Sequence, residues 1–407
     1  MKPIRAACKG AGNVQPGTQE SAYGECLMRM VFSAFLVLAA LACPSAPLAR
    51  GQGFRPKELK VANFRAPEFP PPGDQVSGTT WLNSQPLTMA ALRGQVVLID
   101  FWEYTCINCI RTFNDNKKWY ERYHKYGFTI IGVHDPEFDI AYPVGHVARA
   151  VKRFGLPYPI VVDDWFKIWT SYKSTTWPNR FLVDAKGIVR FNRQGEGGDA
   201  DFERAIQYLL KQAHPGLKFP AGYIIPPEKN RFSAACGIPT QEMYVGDWYN
   251  RGVLSNSEGY HKGKTIDYKM PAHVADGRVG LSGSWETDKN GMIYRGKNKT
   301  DNPTSDRLDM RYHARELYSV INVSHGRPSR VYIQQDGKYL SDKNKGVDVQ
   351  IDSQGRSYLE IREPRMYYLV SNPSFGEHSV SLFPTRPGLT VNSFVFGNNC
   401  QLDFSHL

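Results

Sequence analysis

Cys106 and Cys109 are separated by Ile107 and Asn108, and the pair follows directly on the apolar run Gln95–Phe101 (QVVLIDF). A short continuous apolar run without polar alternation reads as a strand buried on both faces. Beyond the cysteines, Cys109, Phe113, Tyr120 and Tyr123 recur with helical spacing until Gly127, which supplies a stop. A buried strand that runs into Cys-x-x-Cys at a helix start leaves few folds open. Residues three apart in the first helical turn share one side, so the two sulfurs can close a disulfide. Cys106 falls at the helix N-terminus, where free N–H groups and the helix dipole favour thiolate over thiol. Cys106 is therefore expected to attack, and Cys109, a turn inside and more shielded, to resolve the mixed disulfide. Asp100 stands at the strand end, six residues before Cys106. Burial there raises a carboxyl's pKa and fits it to take the proton from Cys109. The alternative is an Asp that faces solvent or caps the helix.

The alternation of strand and helix continues from about Val76 to Gln212. Phe128–Val133 (FTIIGV) reads as a second buried strand, Gly145–Phe154 as a helix closed by Gly155, and Tyr158–Val162 as a short extended piece. Trp165–Tyr172 reads as a short helix, and Phe181–Asp184 with Ile188–Arg193 as a hairpin around Ala185-Lys186-Gly187. Asp199 is placed to cap a last helix, Asp201–Ala213, with Phe202, Ile206, Leu209 and Leu210 on its apolar face.

The pattern changes after Pro215. Short alternating segments follow, separated by turn signals such as Asp336-Gly337 and Gln354-Gly355: Leu308–Tyr312, Leu317–Val323, Arg330–Gln334, Val347–Ile351, Ser357–Ile361, Tyr367–Val370, Ser379–Phe383 and Thr390–Phe396. That spacing reads as an all-β antiparallel sandwich. The expected organisation is an export segment (1–50), a Pro-rich linker (51–74) that reads as an extended connection or as a strand-edge entry, an α/β redox domain (75–214), a second linker (215–240) and a jelly-roll-like β-sandwich (241–407).

The export segment rests on Arg29 followed by the apolar run Val31–Ala42, too short to span a bilayer but long enough for a signal core. Ala40-Leu41-Ala42 fits a cleavage site, a second ends at Ala49, and Met28 or Met30 fits a signal start better than Met1. Cys43 offers an acceptor for a lipid anchor, although Ala40 stands where lipoprotein signals usually carry Leu. The expected location is the periplasm or another exported, oxidising compartment. Cys236 and Cys400, near the two ends of the β portion, are then expected to form a structural disulfide. Composition narrows the field further. Across 407 residues, 41% are hydrophobic and 22% charged, which excludes disorder over most of the length. The net charge of +11 comes from scattered Lys and Arg with no nucleic-acid motif, so nucleic acid is not an expected partner.

The run Ile99–Thr112 (IDFWEYTCINCIRT), the segment Gly132–Phe138 (GVHDPEF), Trp177-Pro178 and Gly195-Glu196-Gly197 resemble thioredoxin, and in particular the exported thioredoxin-like proteins of the TlpA and DipZ type. Cys-Ile-Asn-Cys followed by Arg111-Thr112 resembles the DipZ group specifically. The resemblance implies a thioredoxin fold with a helical insertion at about Asp135–Tyr172. It implies redox-active cysteines at Cys106 and Cys109, and a cis-proline at Pro178, after Trp177, facing them. The stretch Ser379–Gly397 (SVSLFPTRPGLTVNSFVFG) resembles the end of the carbohydrate-module-like domain that follows the redox domain in DipZ-type proteins. The implied function is thiol–disulfide exchange with protein thiols and disulfides, without a cofactor. The DipZ type carries a multi-helix membrane electron-transfer domain upstream, and none is read in this sequence. The electron donor or oxidant is therefore expected to be a separate, membrane-bound protein.

Other readings remain open. Zinc needs a second ligand pair that the sequence lacks, and copper would need a nearby ligand such as His134. A peroxide-reducing redoxin would carry Thr where Glu103 stands. The β portion has aromatic residues, Trp248, Tyr249, Trp285, Tyr367 and Tyr368, that would suit a glycan if exposed on one face, and a protein partner is the other reading of this portion.

Overall fold

A computed structural model of the protein describes residues 54–71, 78–220, 223–224, 237–247, 252–297, 305–324 and 327–398. The first half builds one seven-stranded sheet from β1 (Lys60–Arg65), β2 (Thr79–Leu82), β3 (Val96–Trp102), β4 (Phe128–His134), β5 (Ile160–Asp163), β6 (Asn179–Val183) and β7 (Ile188–Gln194), in the order β1-β7-β6-β3-β4-β5-β2. Four helices accompany it: α1 (Ile107–Tyr123), α2 (Val144–Phe154), α3 (Lys167–Ser171) and α4 (Asp199–Ala213). The central strand β3 is buried throughout, parallel to β4 and antiparallel to β6. Its period of two divides it between two cores. Val96, Leu98 and Trp102 pack with α1, α2 and α4, whereas Val97, Ile99 and Phe101 pack with Phe69, Met89 and Ile168 on the other face. Asp100 belongs to the first set by parity, on the face that carries α1.

Lys60–Arg65, within the Pro-rich stretch read as an extended linker or a strand-edge entry, is a strand paired with β7 at the sheet edge. The prolines follow it, at Pro67 and Pro70–Pro71, so they end the strand without preventing it. Asp199 does not cap α4. Gly198, with φ of 71°, takes the cap position, and Asp199 enters the first turn to pair with Arg180.

The second half is an eleven-stranded antiparallel sheet: β8 (Met243–Tyr244), β9 (Thr265–Tyr268), β10 (Val279–Thr287), β11 (Met292–Tyr294), β12 (Arg307–Val323), β13 (Ser329–Gln335), β14 (Lys338–Tyr339), β15 (Gln350–Ile351), β16 (Ser357–Ile361), β17 (Arg365–Pro384) and β18 (Leu389–Gly397). Sequence reading splits the two longest strands. Leu308–Tyr312 and Leu317–Val323 are one strand, β12, and Tyr367–Val370 and Ser379–Phe383 are another, β17. The polar interruption that reads as a turn is a bulge: Glu316 pairs with Ser371 and Ala314 with Gly376, leaving Asn372–Phe375 opposite Arg315. Along its other edge β12 passes from β10 (Met310↔Val279) to β18 (Leu317↔Phe396). Such a long strand turns the corner between two layers around one core of Val279, Leu281, Trp285, Tyr294, Leu317 and Leu382.

The two halves share a core as well. Tyr318, Val320, Met366 and Val395 of the β portion belong to the cluster that contains Cys109, Ile110 and Phe113. Among the described residues, no helix is long and apolar enough to cross a membrane.

Candidate functional site

Cys106 is the N-cap of α1. Its backbone is extended (φ −84°, ψ 106°), its carbonyl accepts from Ile110 N at 3.0 Å, and its sulfur accepts from Cys109 N at 3.2 Å. A helix N-terminus leaves backbone N–H groups without intrahelical partners, and here one of them points at sulfur. Cys106 and Cys109 are joined as a disulfide, with Cα atoms 5.3 Å apart. Cys109 is fully buried, while Cys106 keeps some exposure.

Asp100 is fully buried, and burial pushes its carboxyl up to about 7 against the opposing pull of Arg180 and Asn116. Asn116 Nδ2 donates to one oxygen at 2.8 Å, and the other oxygen, Oδ1, has no hydrogen-bond partner among the described residues. Cys109 and Asn116 are seven residues apart, which puts them on one face of α1. Asp100 therefore sits beneath the helix face that carries Cys109. Arg180, also buried, is held by Asp199 at 2.6 Å, by the Gly197 carbonyl at 2.7 Å and over the ring of Phe202.

The Trp177–Pro178 peptide is cis. The register Phe101↔Asn179 brings Pro178 to the end of β3 from which the chain leaves for Cys106. The Pro178 carbonyl accepts from Gly195 N at 2.8 Å, which ties the loop to Gly195-Glu196-Gly197. Trp177 packs on Trp169 with ring centroids 4.5 Å apart.

Sequence reasoning gave little weight to a second acid. Glu103 is fully buried and pushed up to about 8 by burial, with Glu137 adding to the rise and Thr105 opposing it. Its Oε2 accepts from Thr105 N at 2.6 Å and from the Thr105 hydroxyl, so it braces the loop that presents Cys106. Its Oε1 lies 3.8 Å from His134 Nε2. Burial pushes His134 down to about 3, so the ring is neutral at pH 7. Nearby, Asp135 is held well above the carboxylate range by burial and by the Asp163 carboxylate. The signal for this cluster lay in the sequence, as charged residues inside or beside apolar strands. No group of three or more His, Cys, Asp and Glu fit to hold a metal occurs among the described residues.

Arg111, two residues past Cys109, joins the halves. One Nη reaches Glu196 Oε1 at 3.2 Å and the other reaches Glu316 Oε2 at 3.2 Å. Glu316 also accepts from Tyr318 and Tyr368. Gly397 lies opposite Glu316, and a Cβ there would meet Arg111 Nη2 at 2.6 Å, so only glycine admits this approach. Burial pushes Glu196 up to about 7 against the pull of Arg111.

Of the aromatic residues considered for a glycan, Trp285 and Tyr367 are buried core residues, and only Tyr368 among the described ones is half-exposed. Trp248, Tyr249, Cys43, Cys236 and Cys400 lie outside the described residues, so the expected Cys236–Cys400 bridge and the lipid anchor do too.

Residues 63–192 match the AhpC/TSA family, and residues 240–397 match the Thioredoxin like C-terminal domain. Over 325 residues the chain is 31% identical to Protein DipZ of Mycobacterium tuberculosis, covering 78% of this chain and 42% of DipZ. It is 33% identical over 154 residues to Protein SUPPRESSOR OF QUENCHING 1, chloroplastic, of Arabidopsis thaliana, covering 38% of this chain and 14% of that one. It is 27% identical over 184 residues to the thiol-disulfide oxidoreductase ResA of Bacillus thuringiensis, covering 45% of this chain and 96% of ResA. The chain thus spans about two fifths of the length of the DipZ proteins it matches.

Proposed function

We propose that the chain is a thioredoxin-like oxidoreductase of the DipZ type, a reading that its two family matches and its 31% identity to DipZ support, and that it exchanges disulfides with protein cysteines in the cell envelope through Cys106 and Cys109. The observation that carries this reading is the half-exposed sulfur at the cap of α1, bonded to a buried partner above a buried acid.

In the reducing direction, the Cys106 thiolate attacks one sulfur of the substrate disulfide, and the other substrate sulfur leaves as a thiolate. Cys109 then loses its proton to Asp100 and attacks the Cys106 sulfur. The second substrate thiol departs, and the protein is left with the Cys106–Cys109 disulfide, two electrons poorer. A separate dithiol protein restores the reduced pair. Burial lifts the Asp100 carboxyl to about 7, toward the range of a thiol, which fits it to accept that proton near neutral pH. The Trp177-Pro178 loop lies at the same end of the sheet as Cys106, where its backbone is suited to line up an extended substrate. The envelope location is supported by the apolar run Val31–Ala42 with small residues after it.

The test is trapping in cells. A Cys109→Ser variant should accumulate mixed disulfides on Cys106, with envelope proteins as the trapped partners, and Cys106→Ser should accumulate none. Equal trapping by both variants would defeat the assignment. Hydrogen peroxide consumption outpacing disulfide exchange would replace it with a peroxidase.

A further inference from the structure

Beside the start of α1, between the two halves, lies a cavity of about 230 Å³. Ile107, Ile110 and Phe154 line it from the redox side, and Tyr318, Met366 and Tyr368 from the β side. Ile107 is the residue after the attacking cysteine, so the cavity adjoins the position where a substrate sulfur must sit. At its rim stand Arg153, Arg365, Asp348 and Glu363. Their charges are already matched: Arg365 pairs with Asp348 at 2.7 Å and Arg153 with Glu363 at 3.1 Å. The site therefore asks for no net charge from its occupant. The Tyr318 and Tyr368 rings stack on each other at 4.4 Å and both hydroxyl protons are committed to Glu316, which leaves neither tyrosine free to donate to a sugar. The volume falls below the 300–1,000 Å³ typical of small-molecule pockets, but it accommodates one large side chain.

We propose that this cavity receives a bulky apolar side chain of the substrate polypeptide, from the residue next to the cysteine under attack. The β portion then selects substrates for the redox portion, because half of the apolar lining is its own. This inference rests on the exchange reading above and names the substrate class for that site: polypeptides with an apolar residue flanking the reactive cysteine. Adjacent residues are about 3.8 Å apart on both chains, so a substrate sulfur at Cys106 carries its neighbour to the Ile107 position.

The experiment uses the full chain, reduced, with peptides Gly-Gly-Cys-Xaa-Gly whose cysteine is disulfide-linked to 2-nitro-5-thiobenzoate. Attack by Cys106 releases the coloured thiolate, Cys109 then frees the peptide thiol, and the rate is read by absorbance. With Xaa as Leu or Phe, the second-order rate constant for this single turnover should exceed that for Gly or Asp by about tenfold or more, the scale of burying one large side chain. Met366→Lys should bring the ratio below threefold. Should that variant fail to fold, Met366→Ala, which enlarges the cavity, should move the optimum from Leu to Trp. One rate for all four peptides in the wild-type protein overturns the cavity's role while leaving exchange intact, and absence of exchange with all four overturns both. An unchanged preference in folded Met366→Lys, or selective slowing of the Leu peptide by maltoheptaose, which would mark a glycan site, also overturns it.

Discussion

The two halves of the molecule bury polar groups in opposite ways. In the redox half, Asp100, Glu103, His134, Asp135 and Arg180 are buried in or beside central strands. Several of their atoms have no hydrogen-bond partner among the described residues, including Asp100 Oδ1, Glu103 Oε1 and both His134 nitrogens. In the β half most buried polar groups are neutral and hydrogen-bonded to one another, with the Glu316 carboxylate held by Arg111 and Ser393 Oγ without a partner among the described residues as exceptions. Tyr312, Gln335 and Asn372 form a closed set, and Asn256 bonds to Lys269 O, Leu281 O and Leu281 N. Unsatisfied buried groups cost stability and persist where chemistry uses them. The redox half thus holds protons ready to move, while the β half uses its polar groups to fix one packing.

The largest expected effect separates the halves by activity. Cys106→Ala should lower disulfide exchange at least about a thousandfold, since no other nucleophile replaces the thiolate. Tyr312→Phe, in the β core, should leave it within about twofold. An exchange assay with a small disulfide checks both. Comparable losses would erase the division of labour.

The next effect falls on the link between the halves. Arg111 is buried between Glu196 and Glu316, and its removal leaves two carboxylates without their counter-charge. Arg111→Ala should cost about 3–5 kcal/mol, read by chemical denaturation. Fluorescence and far-ultraviolet dichroism should then cease to report one transition, as the β half outlasts the redox half. Retention of a single transition at the wild-type midpoint would show that apolar contact alone joins them.

Acidity gives the third. The Asp100 carboxyl titrates at about 7 in the folded protein and near 3.9 when unfolded. Between these values the folded state holds one more proton, so stability falls as pH rises from about 4 to about 7 and then levels off. The span is about 4 kcal/mol as an upper scale. Asp100→Asn should flatten that slope and make the protein more stable at pH 8. It should also slow the resolving step about ten- to a hundredfold and remove an inflection near pH 7 from the rate profile. A gain in stability with no change in the resolving step would leave Asp100 a buried acid without a part in proton transfer.

The halves also differ in how much the sequence discloses. Around Cys106 the signals are local: an apolar strand, two cysteines at helical spacing and an acid at the strand end all lie within fifteen residues or so. Long-range pairing is harder to read. Strand β1 hides among prolines because its partner, β7, lies more than a hundred residues away. The fused strands β12 and β17 look like four because a bulge and a turn share the same polar residues. Glu316 falls between two segments that read as separate strands, and nothing in the sequence marks it as the partner of Arg111. Glu103 was visible, yet nothing in the sequence states that Thr105 and His134 enclose it.

The smallest predicted effect tests the satisfied side of the comparison. Tyr312 Oη donates to Gln335 Oε1 at 2.8 Å, and Gln335 Nε2 donates to Asn372 Oδ1 at 2.9 Å. Burial holds the Tyr312 hydroxyl above its usual range, so it stays neutral throughout the working pH range. Tyr312→Phe keeps the ring stacked on Phe396 but leaves Gln335 Oε1 with one donor fewer, a cost of about 1–2 kcal/mol. That cost should be the same at pH 4 and pH 8, because no proton changes hands. Asp100→Asn should behave in the opposite manner, near neutral at pH 4 and stabilising at pH 8. Denaturation curves of both variants at the two pH values therefore separate a group that holds packing from one that holds a proton. Should Tyr312→Phe prove pH-dependent, or should Asp100→Asn destabilise at pH 8, the contrast between the halves would fail.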